Sequence, residues 1–265
     1  TDVGWGSTQT VGLLTLVAGL LAAFVAVELR SEAPLVPFGI FRKRTLTGAN
    51  VVGLLVGGSL FSMFFFISLY MQEVLGYSAI KAGLSYLPLT VLIITSAALG
   101  GALVTRLGFK PVLATGLGFI VAGLLWFSQV SVGGGFTTDV LGPSMLAAVG
   151  LGFAFVTTTI AAVSGVEERD AGLASGLINS SQQIGGALGL AILATIANSR
   201  TDDVMASGGS GLPNALAEGF QSAFLGGAVI AAIGLVATLI LIKGSDSRAH
   251  AGRGPEGAAP QPAQA

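Results

Sequence analysis

Neutral amides and hydroxyls are the side chains of this sequence whose types and spacing could do chemistry. Asn179, Gln182 and Gln183 fall within about one helical turn of an otherwise apolar segment. Such amides donate and accept hydrogen bonds without carrying a fixed charge. They could bind a bulky molecule while nearby aromatic rings supply apolar or cation–π contact. The candidates for lining a pathway for such a molecule are Asn50, Phe64, Gln72, Thr157, Asn179, Gln182 and Gln183.

Each of these side chains also has a purely structural interpretation. Amides that join neighbouring helices are common in membrane proteins, so Asn179 and its neighbours could simply hold a bundle together. The rings of Phe61, Phe64, Phe65 and Phe66 point in several directions around one helix, so some of them must face lipid. The sequence leaves both interpretations open.

Other kinds of chemistry find little support. The chain has no cysteine and one histidine, which excludes thiolate metal sites and leaves no serine–histidine triad within the apolar segments. No glycine-rich phosphate loop is recognisable, and the net charge of −1 points to no nucleic-acid partner. The centres of the apolar segments lack charged residues, whereas Glu28, Glu73 and Glu218 lie at segment ends, where we expect solvation. We expect no enzyme, no cofactor and no metal.

The elements that must position these residues are long apolar helices. Only 9% of the residues are charged and 52% are hydrophobic. A helix needs about 20 apolar residues to cross the hydrocarbon core of a bilayer. The sequence therefore predicts an all-α, polytopic membrane bundle of about seven transmembrane helices. The apolar runs lie near residues 10–27, 46–71, 82–105, 111–130, 140–166, 171–198 and 219–242.

The cations predict how this bundle lies in the membrane. Of twelve Lys and Arg residues, only Lys81 and Arg200 occupy one set of alternate gaps. Because cytoplasmic loops are enriched in Lys and Arg, the other set should face the cytoplasm, with the C-terminus inside and residue 1 outside. We expect a multi-pass protein of the plasma (inner) membrane. The cytoplasmic set is Arg30, Arg42, Lys43, Arg44, Arg106, Lys110, Arg169, Lys243, Arg248 and Arg253.

Four regions follow from this pattern. Residues 1–29 form an outer segment, with Trp5 at the interface, and a linker helix. Residues 30–45, broken by Pro34 and Pro37, form a cytoplasmic link on the membrane surface. Residues 46–243 form a six-helix domain whose outer loop 199–217 should be mobile, and residues 244–265 form a disordered tail. The polar-poor runs 111–130 and 219–242 suggest two three-helix units, each with a lipid-facing third helix.

Small residues four positions apart predict where helices approach closely. Gly172 and Gly176, and again Gly185 and Gly189, place a flat stripe on one helix face. All four are candidates for helix packing.

Two stretches of the sequence carry a family resemblance. SLYMQEVLGYSAIKAGLSYLP (68–88) and AGLASGLINSSQQIGGALGLAIL (171–193) resemble the fourteen-helix drug:proton antiporters of the major facilitator superfamily. The link, with Phe24, Glu28, Pro34 and Phe41, is similar to the one preceding their C-terminal half. The resemblance implies one linker helix plus the C-terminal six-helix half, with the N-terminal half and its coupling carboxylate absent. That the chain begins with Thr rather than Met favours the same view.

GALVTRLGFK (101–110) resembles the cytoplasmic loop signature of that superfamily. The implied gating residues are Gly101, Arg106, Gly108 and Lys110, although Thr105 stands where the stricter copy has an acidic residue. A plain positively charged loop is the alternative. We also consider that Glu167, Glu168 and Asp170 pair with Arg106 and Lys110 as a weak latch; exposed pairs contribute about 0–1 kcal/mol each.

These observations predict the C-terminal half of a proton-coupled secondary transporter that exports drugs or other bulky amphipathic compounds by alternating access. The expected partners are the lipid bilayer, the missing N-terminal half, a small-molecule substrate and protons. A membrane sensor or partner subunit that does not transport, and uptake of a small nutrient by the same fold, are the alternatives.

Overall fold

The computed structural model describes residues 6–32, 34–164, 166–208 and 211–251. Trp5 and Arg253 lie outside these residues, as does the rest of the expected tail beyond residue 251. Within the described residues all regular structure is helical. In this part of the chain, seven helical segments are long and apolar enough to cross a membrane, one for each predicted run. The all-α polytopic bundle predicted from the sequence is therefore confirmed.

The chain divides into two compact units, Thr1–Arg42 and Lys43–Ala265, at a boundary inside the predicted link. The first unit contains α1 (Thr8–Arg30) and a short 3-10 helix (Phe38–Arg42). α1 begins where the Ser7 hydroxyl accepts a hydrogen bond from the Thr10 N–H, 3.1 Å away. Glu28, expected to be solvated, is buried, and its carboxylate accepts a hydrogen bond from the Val36 N–H as the chain folds back.

The second unit holds the other helices. α2 (Arg44–Leu69) continues into a π-helical turn (Tyr70–Val74), and α3 (Ala79–Ser85) leads into α4 (Leu87–Leu107). The elements that follow are α5 (Phe109–Phe127), a π-helical turn (Phe136–Leu141), α6 (Gly142–Val163), a 3-10 turn (Glu168–Asp170), α7 (Ala171–Ala206), α8 (Leu212–Leu241) and α9 (Gly244–Ala251).

The helices of this unit pack in two groups that interleave along the chain. α2, α7 and α8 contact one another extensively, and α4 and α5 both pack against α6. The α5–α8 and α2–α6 contacts join the two groups, whereas the consecutive helices α4 and α5 contact each other little. The suggested units of three consecutive helices are therefore not the packing groups, because the closest helix contacts form between glycines distant in sequence.

The polar-poor runs 111–130 and 219–242, which form α5 and α8, are not the most exposed helices. α5 and α8 each bury one face and expose another, but α4 and α7 are the least enclosed of the six. The expectation that α5 and α8 are the lipid-facing members was therefore too simple. The exposed surface of α7 carries the amide side chains of Asn179 and Gln183.

Two polar segments are more ordered than their composition predicts. Most of the outer loop predicted at 199–217 is helical, because α7 runs on to Ala206 and α8 begins at Leu212. Arg200 and Glu218 pair across these extensions with a 2.5 Å nitrogen–oxygen distance, so Glu218 has a protein partner. The predicted disordered tail also begins with a helix, α9, whose contacts are described below.

Candidate functional site

α7 carries most of the polar candidates and presents two different faces. Its buried face includes Ala174, Ile178, Gln182 and Gly185, and it packs against α2 and α8. Its exposed face includes Asn179 and Gln183. At a rise of 1.5 Å per residue, these two amides lie about 12 and 18 Å along the helix from its first residue. Both faces therefore lie at a depth where hydrocarbon would surround an isolated helix.

The buried face meets α2 through glycines on both helices. A Cβ placed on Gly185 would collide with the Leu54 carbonyl group, and one placed on Gly189 would collide with Gly58. Conversely, a Cβ on Gly57 would strike the backbone of Gln182. The two backbones thus lie in direct contact, as small-residue seams allow in membrane bundles. We call this contact the α2–α7 seam.

The other glycine pair of α7 has different surroundings. A Cβ placed on Gly172 or Gly176 would meet nothing within 4 Å, and both residues are exposed. The expectation that these two glycines pack against another helix is therefore not met among the described residues. They belong to the same surface as Asn179 and Gln183, because positions three and four apart share a helix face.

Asn50 takes part in the α2–α7 seam. It is 8% exposed, its Nδ2 donates to the Leu46 carbonyl oxygen at 2.9 Å, and its Oδ1 accepts from the Ser181 hydroxyl at 2.9 Å. Both ends of the amide are thus engaged by protein. In this conformation Asn50 joins two helices.

Gln182 lies in the same seam, but its amide is not fully hydrogen-bonded by the described residues. The residue is 8% exposed, and its side chain lies beside Gly53 of α2. Its Nε2 has no hydrogen-bond partner among the described residues. A buried donor without a partner costs about 1–3 kcal/mol, so the seam is less stable at Gln182 than it could be.

Asn179 and Gln183 form the polar part of the exposed face. The Asn179 Nδ2 donates to the Ser175 carbonyl oxygen at 2.9 Å, which leaves its own amide oxygen directed away from that bond. Lipid tails offer amides no hydrogen-bond partner, so amides at this depth need a wet cavity or another protein surface beside them. The exposed face of α7 therefore has the character of a surface that water, a ligand or protein covers.

The remaining candidates lie on other helices. Phe64 is half-buried, with its ring 5.5 Å from that of Tyr86, whose hydroxyl donates to the Phe64 carbonyl oxygen at 2.9 Å. Gln72 is also half-buried, and its Nε2 donates to the Ser68 hydroxyl at 2.9 Å. Thr157 is fully buried, and its hydroxyl donates within α6 to the Phe153 carbonyl oxygen.

The described hydrogen bonds therefore bring Asn50 to α7 and leave the others apart. No bond among the described residues joins Phe64, Gln72 or Thr157 to the α7 amides. The Thr157 hydroxyl is already engaged in this conformation, because helical Thr readily bonds the carbonyl one turn back.

The signature loop forms a tight connection between α4 and α5. Gly108 has φ +81° and is the last residue before α5. This left-handed conformation suits glycine. Arg106 lies in the last turn of α4, where a cation complements the helix dipole. A Cβ on Gly101 would make only an ordinary contact with Val156 of α6, at 3.7 Å.

The acidic run near this end pairs locally. Arg169 lies 3.0 Å from the Glu167 carboxylate and 4.0 Å from that of Asp170. The Lys110 Nζ donates to the Leu239 carbonyl oxygen at 2.7 Å. Among the described residues no ion pair links the run to Arg106 or Lys110, so the latch is not formed in this conformation. Arg169 competes for these carboxylates because it is adjacent in sequence.

A polar cluster that the sequence did not predict lies at the end of the bundle away from the signature loop. The buried Tyr70 hydroxyl donates to the Ser131 carbonyl oxygen at 2.7 Å and to Asp139 Oδ2 at 3.0 Å. The same Oδ2 accepts from the Ser131 N–H at 3.0 Å. This cluster fixes the α5–α6 loop onto α2. An acid just after a run of glycines was the only signal for it.

The fold and the α7 surface define a class: a multi-pass membrane protein whose bundle offers a polar face within the membrane. Comparison with known sequences gives the family, because the Major Facilitator Superfamily profile matches residues 3–190. The chain belongs to the Major Facilitator Superfamily, a family of membrane transporters.

Similar proteins include several exporters. A cephamycin export protein of Amycolatopsis lactamdurans is 36% identical over 230 residues, covering 85% of this chain and 45% of the relative. A tetracenomycin C resistance and export protein of Streptomyces glaucescens is 34% identical over 201 residues, covering 76% of this chain and 37% of the relative. A multidrug transporter protein of Bacillus subtilis is 27% identical over 206 residues, covering 77% and 38%. The chain thus spans less than half the length of these relatives.

Proposed function

We propose that this chain is the C-terminal part of a proton-coupled exporter of drugs or other bulky amphipathic compounds. Family membership supports the transporter class, and the export and resistance proteins among its relatives support the substrate class. The partial coverage of those relatives supports a missing half. Alternating access follows for a fold in which one bundle rocks against another around a central site.

The observation that carries this proposal is the exposed face of α7. Asn179 and Gln183 lie where lipid cannot satisfy them, on one of the least enclosed helices of its bundle. In the proposed function this face lines the substrate pathway, and the amides supply neutral hydrogen bonds. The α2–α7 seam behind them keeps the face rigid.

The other candidates take graded roles in this proposal. Gln182 lies three residues from Asn179, and its unpartnered Nε2 becomes a donor for substrate when α2 and α7 shift. Phe64 and Gln72 serve the outer half of the pathway. Asn50 acts by holding α2 against α7, and the Thr157 hydroxyl, which is bonded within its own helix, does not contact substrate.

Orientation and coupling complete the proposal. We infer from the sorted cations that the C-terminus lies in the cytoplasm and residue 1 outside the plasma membrane. The loop residues Gly101, Arg106, Gly108 and Lys110 then lie at the cytoplasmic gate. The proton-binding carboxylate belongs to the N-terminal half, because charged residues avoid the centres of the spans. Alkaline phosphatase and green fluorescent protein fusions at residue 248 test the orientation.

Ethidium efflux from an efflux-deficient bacterial strain tests the function. The strain would express the whole reading frame that contains residues 1–265. We expect efflux that a protonophore abolishes and that Asn179→Ala with Gln183→Ala lowers about ten-fold, or about 1.4 kcal/mol of transition-state stabilisation. Ile233→Ala, on the exposed apolar face of α8, is the matched control and should leave efflux unchanged. Efflux that persists at full rate in the double variant would remove α7 from the pathway, and a lack of efflux for every substrate tried would favour the non-transporting alternatives.

A further inference from the structure

α9 follows the last membrane-spanning helix and docks against the ends of other helices. It contacts α4 and α5. Ser247, in its centre, is only 2% exposed. This burial is unusual for a short polar segment, which is bonded to the starts of two helices and follows the end of a third.

The first of these helix ends is the N-terminus of α5. The first residue of α5 is preceded by Gly108, which has no side chain to accept hydrogen bonds from the backbone N–H groups of the first turn. The Ser247 hydroxyl fills this role, since it accepts a hydrogen bond from the Lys110 N–H at 2.9 Å. The cap of α5 therefore comes from a residue 137 positions away. Serine is a preferred capping residue when it precedes a helix, and here it acts from another segment.

The second helix end is the N-terminus of α2. Lys43 precedes it and makes no side-chain capping bond. In the first turn, the buried Thr45 hydroxyl donates to the Asp246 carboxylate. A carboxylate near a helix N-terminus also complements the helix dipole.

The third helix end is the C-terminus of α8, whose carbonyl oxygens accept hydrogen bonds from two cationic side chains. The Lys110 Nζ donates to the Leu239 carbonyl oxygen and the Arg44 Nη2 to the Ile240 carbonyl oxygen, both at 2.7 Å. These carbonyls are among the last of α8, where the helix itself supplies no partner. Side chains from the starts of α5 and α2 thus cap the end of α8, while α9 caps the start of α5 and binds a side chain at the start of α2.

Gly108 leaves space for this arrangement. A Cβ at Gly108 would collide with the Ser247 hydroxyl and lie 2.5 Å from its carbonyl oxygen. Glycine is therefore required here for close approach as well as for its positive φ. The signature loop and α9 fit each other by shape and by hydrogen bonding.

We propose that residues 242–248 form a strap that caps α5, binds the side chain of Thr45 in the first turn of α2 and holds the signature loop in one conformation. The strap joins one helix from each packing group, so it fixes the relative position of the two groups at this end. Ser247 is a positioning residue that acts on Arg106 and Lys110 through the loop backbone. The inference rests on the fold and does not require the proposed function.

Amide hydrogen exchange of the purified protein tests the strap. In Ser247→Ala the Lys110 amide loses its acceptor, and we expect the peptide covering residues 105–112 to exchange about five-fold faster. Ser245→Ala is the matched control, because the hydroxyl of that exposed serine donates to Asp246, within the same strap. Equal exchange in the Ser247 variant, the Ser245 variant and the parent would overturn the capping role.

A disulfide distinguishes positioning from a general loss of stability. The chain has no cysteine, so Thr45→Cys with Asp246→Cys introduces a single pair where the two side chains touch. Oxidation should tie the strap down and return the exchange of residues 105–112 in Ser247→Ala to within about two-fold of the parent, except at the Lys110 amide, whose acceptor is still missing. Reduction should release it again. A pair that fails to oxidise in the folded protein would show that the strap is not docked, and would overturn the proposal.

Neither measurement uses a substrate. A protein that does not export drugs but shows the expected exchange keeps the strap and loses only the proposed function. Normal efflux with unchanged exchange in Ser247→Ala would overturn the strap and leave the proposed function standing.

Discussion

α7 carries two glycine pairs with the same spacing and opposite surroundings. Gly185 and Gly189 lie in backbone contact with α2, whereas Gly172 and Gly176 face open space beside the exposed amides. The first pair fixes the helix in its bundle. The second keeps a polar surface free of bulky side chains. A single helix thus combines a rigid seam with a surface that is available for binding, and the comparison separates effects on folding from effects on transport.

The largest effect should come from filling the seam. Gly185→Val places side-chain carbons on the Leu54 carbonyl group, so the backbones must separate. We expect a loss of at least about 3 kcal/mol, visible as a lower thermal midpoint in detergent and a smaller monodisperse fraction. Gly176→Val, the same change on the open face, should leave the midpoint within about 2 °C of the parent. Equal losses in the two variants would show that the faces do not differ.

A smaller effect of opposite sign should follow at Gln182. Gln182→Met keeps the length of the side chain and removes the donor that has no partner among the described residues. We expect the thermal midpoint to rise, by up to the equivalent of about 1–2 kcal/mol, because an unsatisfied buried group is lost. If this donor serves substrate in another conformation, efflux should fall in the same variant. A lower midpoint would indicate a partner for Gln182 outside the described residues.

The hydrogen bond between Asn50 and Ser181 should contribute less. A double-mutant cycle with Asn50→Ala and Ser181→Ala isolates the coupling of these two side chains across the seam. Polar pairs between membrane helices average about 0.6 kcal/mol, and we expect a coupling of that size. Additive losses would mean that this bond contributes nothing to the seam.

The smallest effect is expected at Thr157. Thr157→Val is nearly isosteric, and the lost hydroxyl bonds carbonyls within its own helix. Thermal stability and ethidium efflux should both stay close to the parent values, with a change below about 0.5 kcal/mol. A large loss of efflux at unchanged stability would place this hydroxyl in the pathway after all.

The sequence predicts the spans well, because a run of about 20 apolar residues has few alternatives to a membrane helix. It does not predict which glycines pack, since Gly172 and Gly185 have the same local pattern and differ only in what lies opposite. The roles of Asn50 and Asn179 differ for the same reason. Both are amides in apolar helices, but Asn50 bonds a hydroxyl on a neighbouring helix, whereas Asn179 bonds a carbonyl of its own helix.

The errors at the polar segments have a related cause. Residues 199–206 and 244–251 look like loop and tail by composition, yet they are helical. Tertiary partners decide their state: Glu218 pairs with Arg200, and the α4–α5 loop receives Ser247. Such partners lie far along the chain and leave no local signal. The resemblance of residues 171–193 to a known family, by contrast, pointed directly to the helix on which the candidate site lies.

Cysteine accessibility along α7 tests whether the exposed face of this helix lines the substrate pathway. Single cysteines at positions 176, 178, 179, 182 and 183 would be introduced into a cysteine-free background and labelled in intact membranes with a membrane-impermeant thiosulfonate. We expect positions 176, 179 and 183 to react, and an added substrate to protect positions 179 and 183. Positions 178 and 182, in the seam, should stay unreactive. Reaction of both faces alike, or labelling of the seam alone, would contradict the assignment of the exposed face of α7 to the pathway.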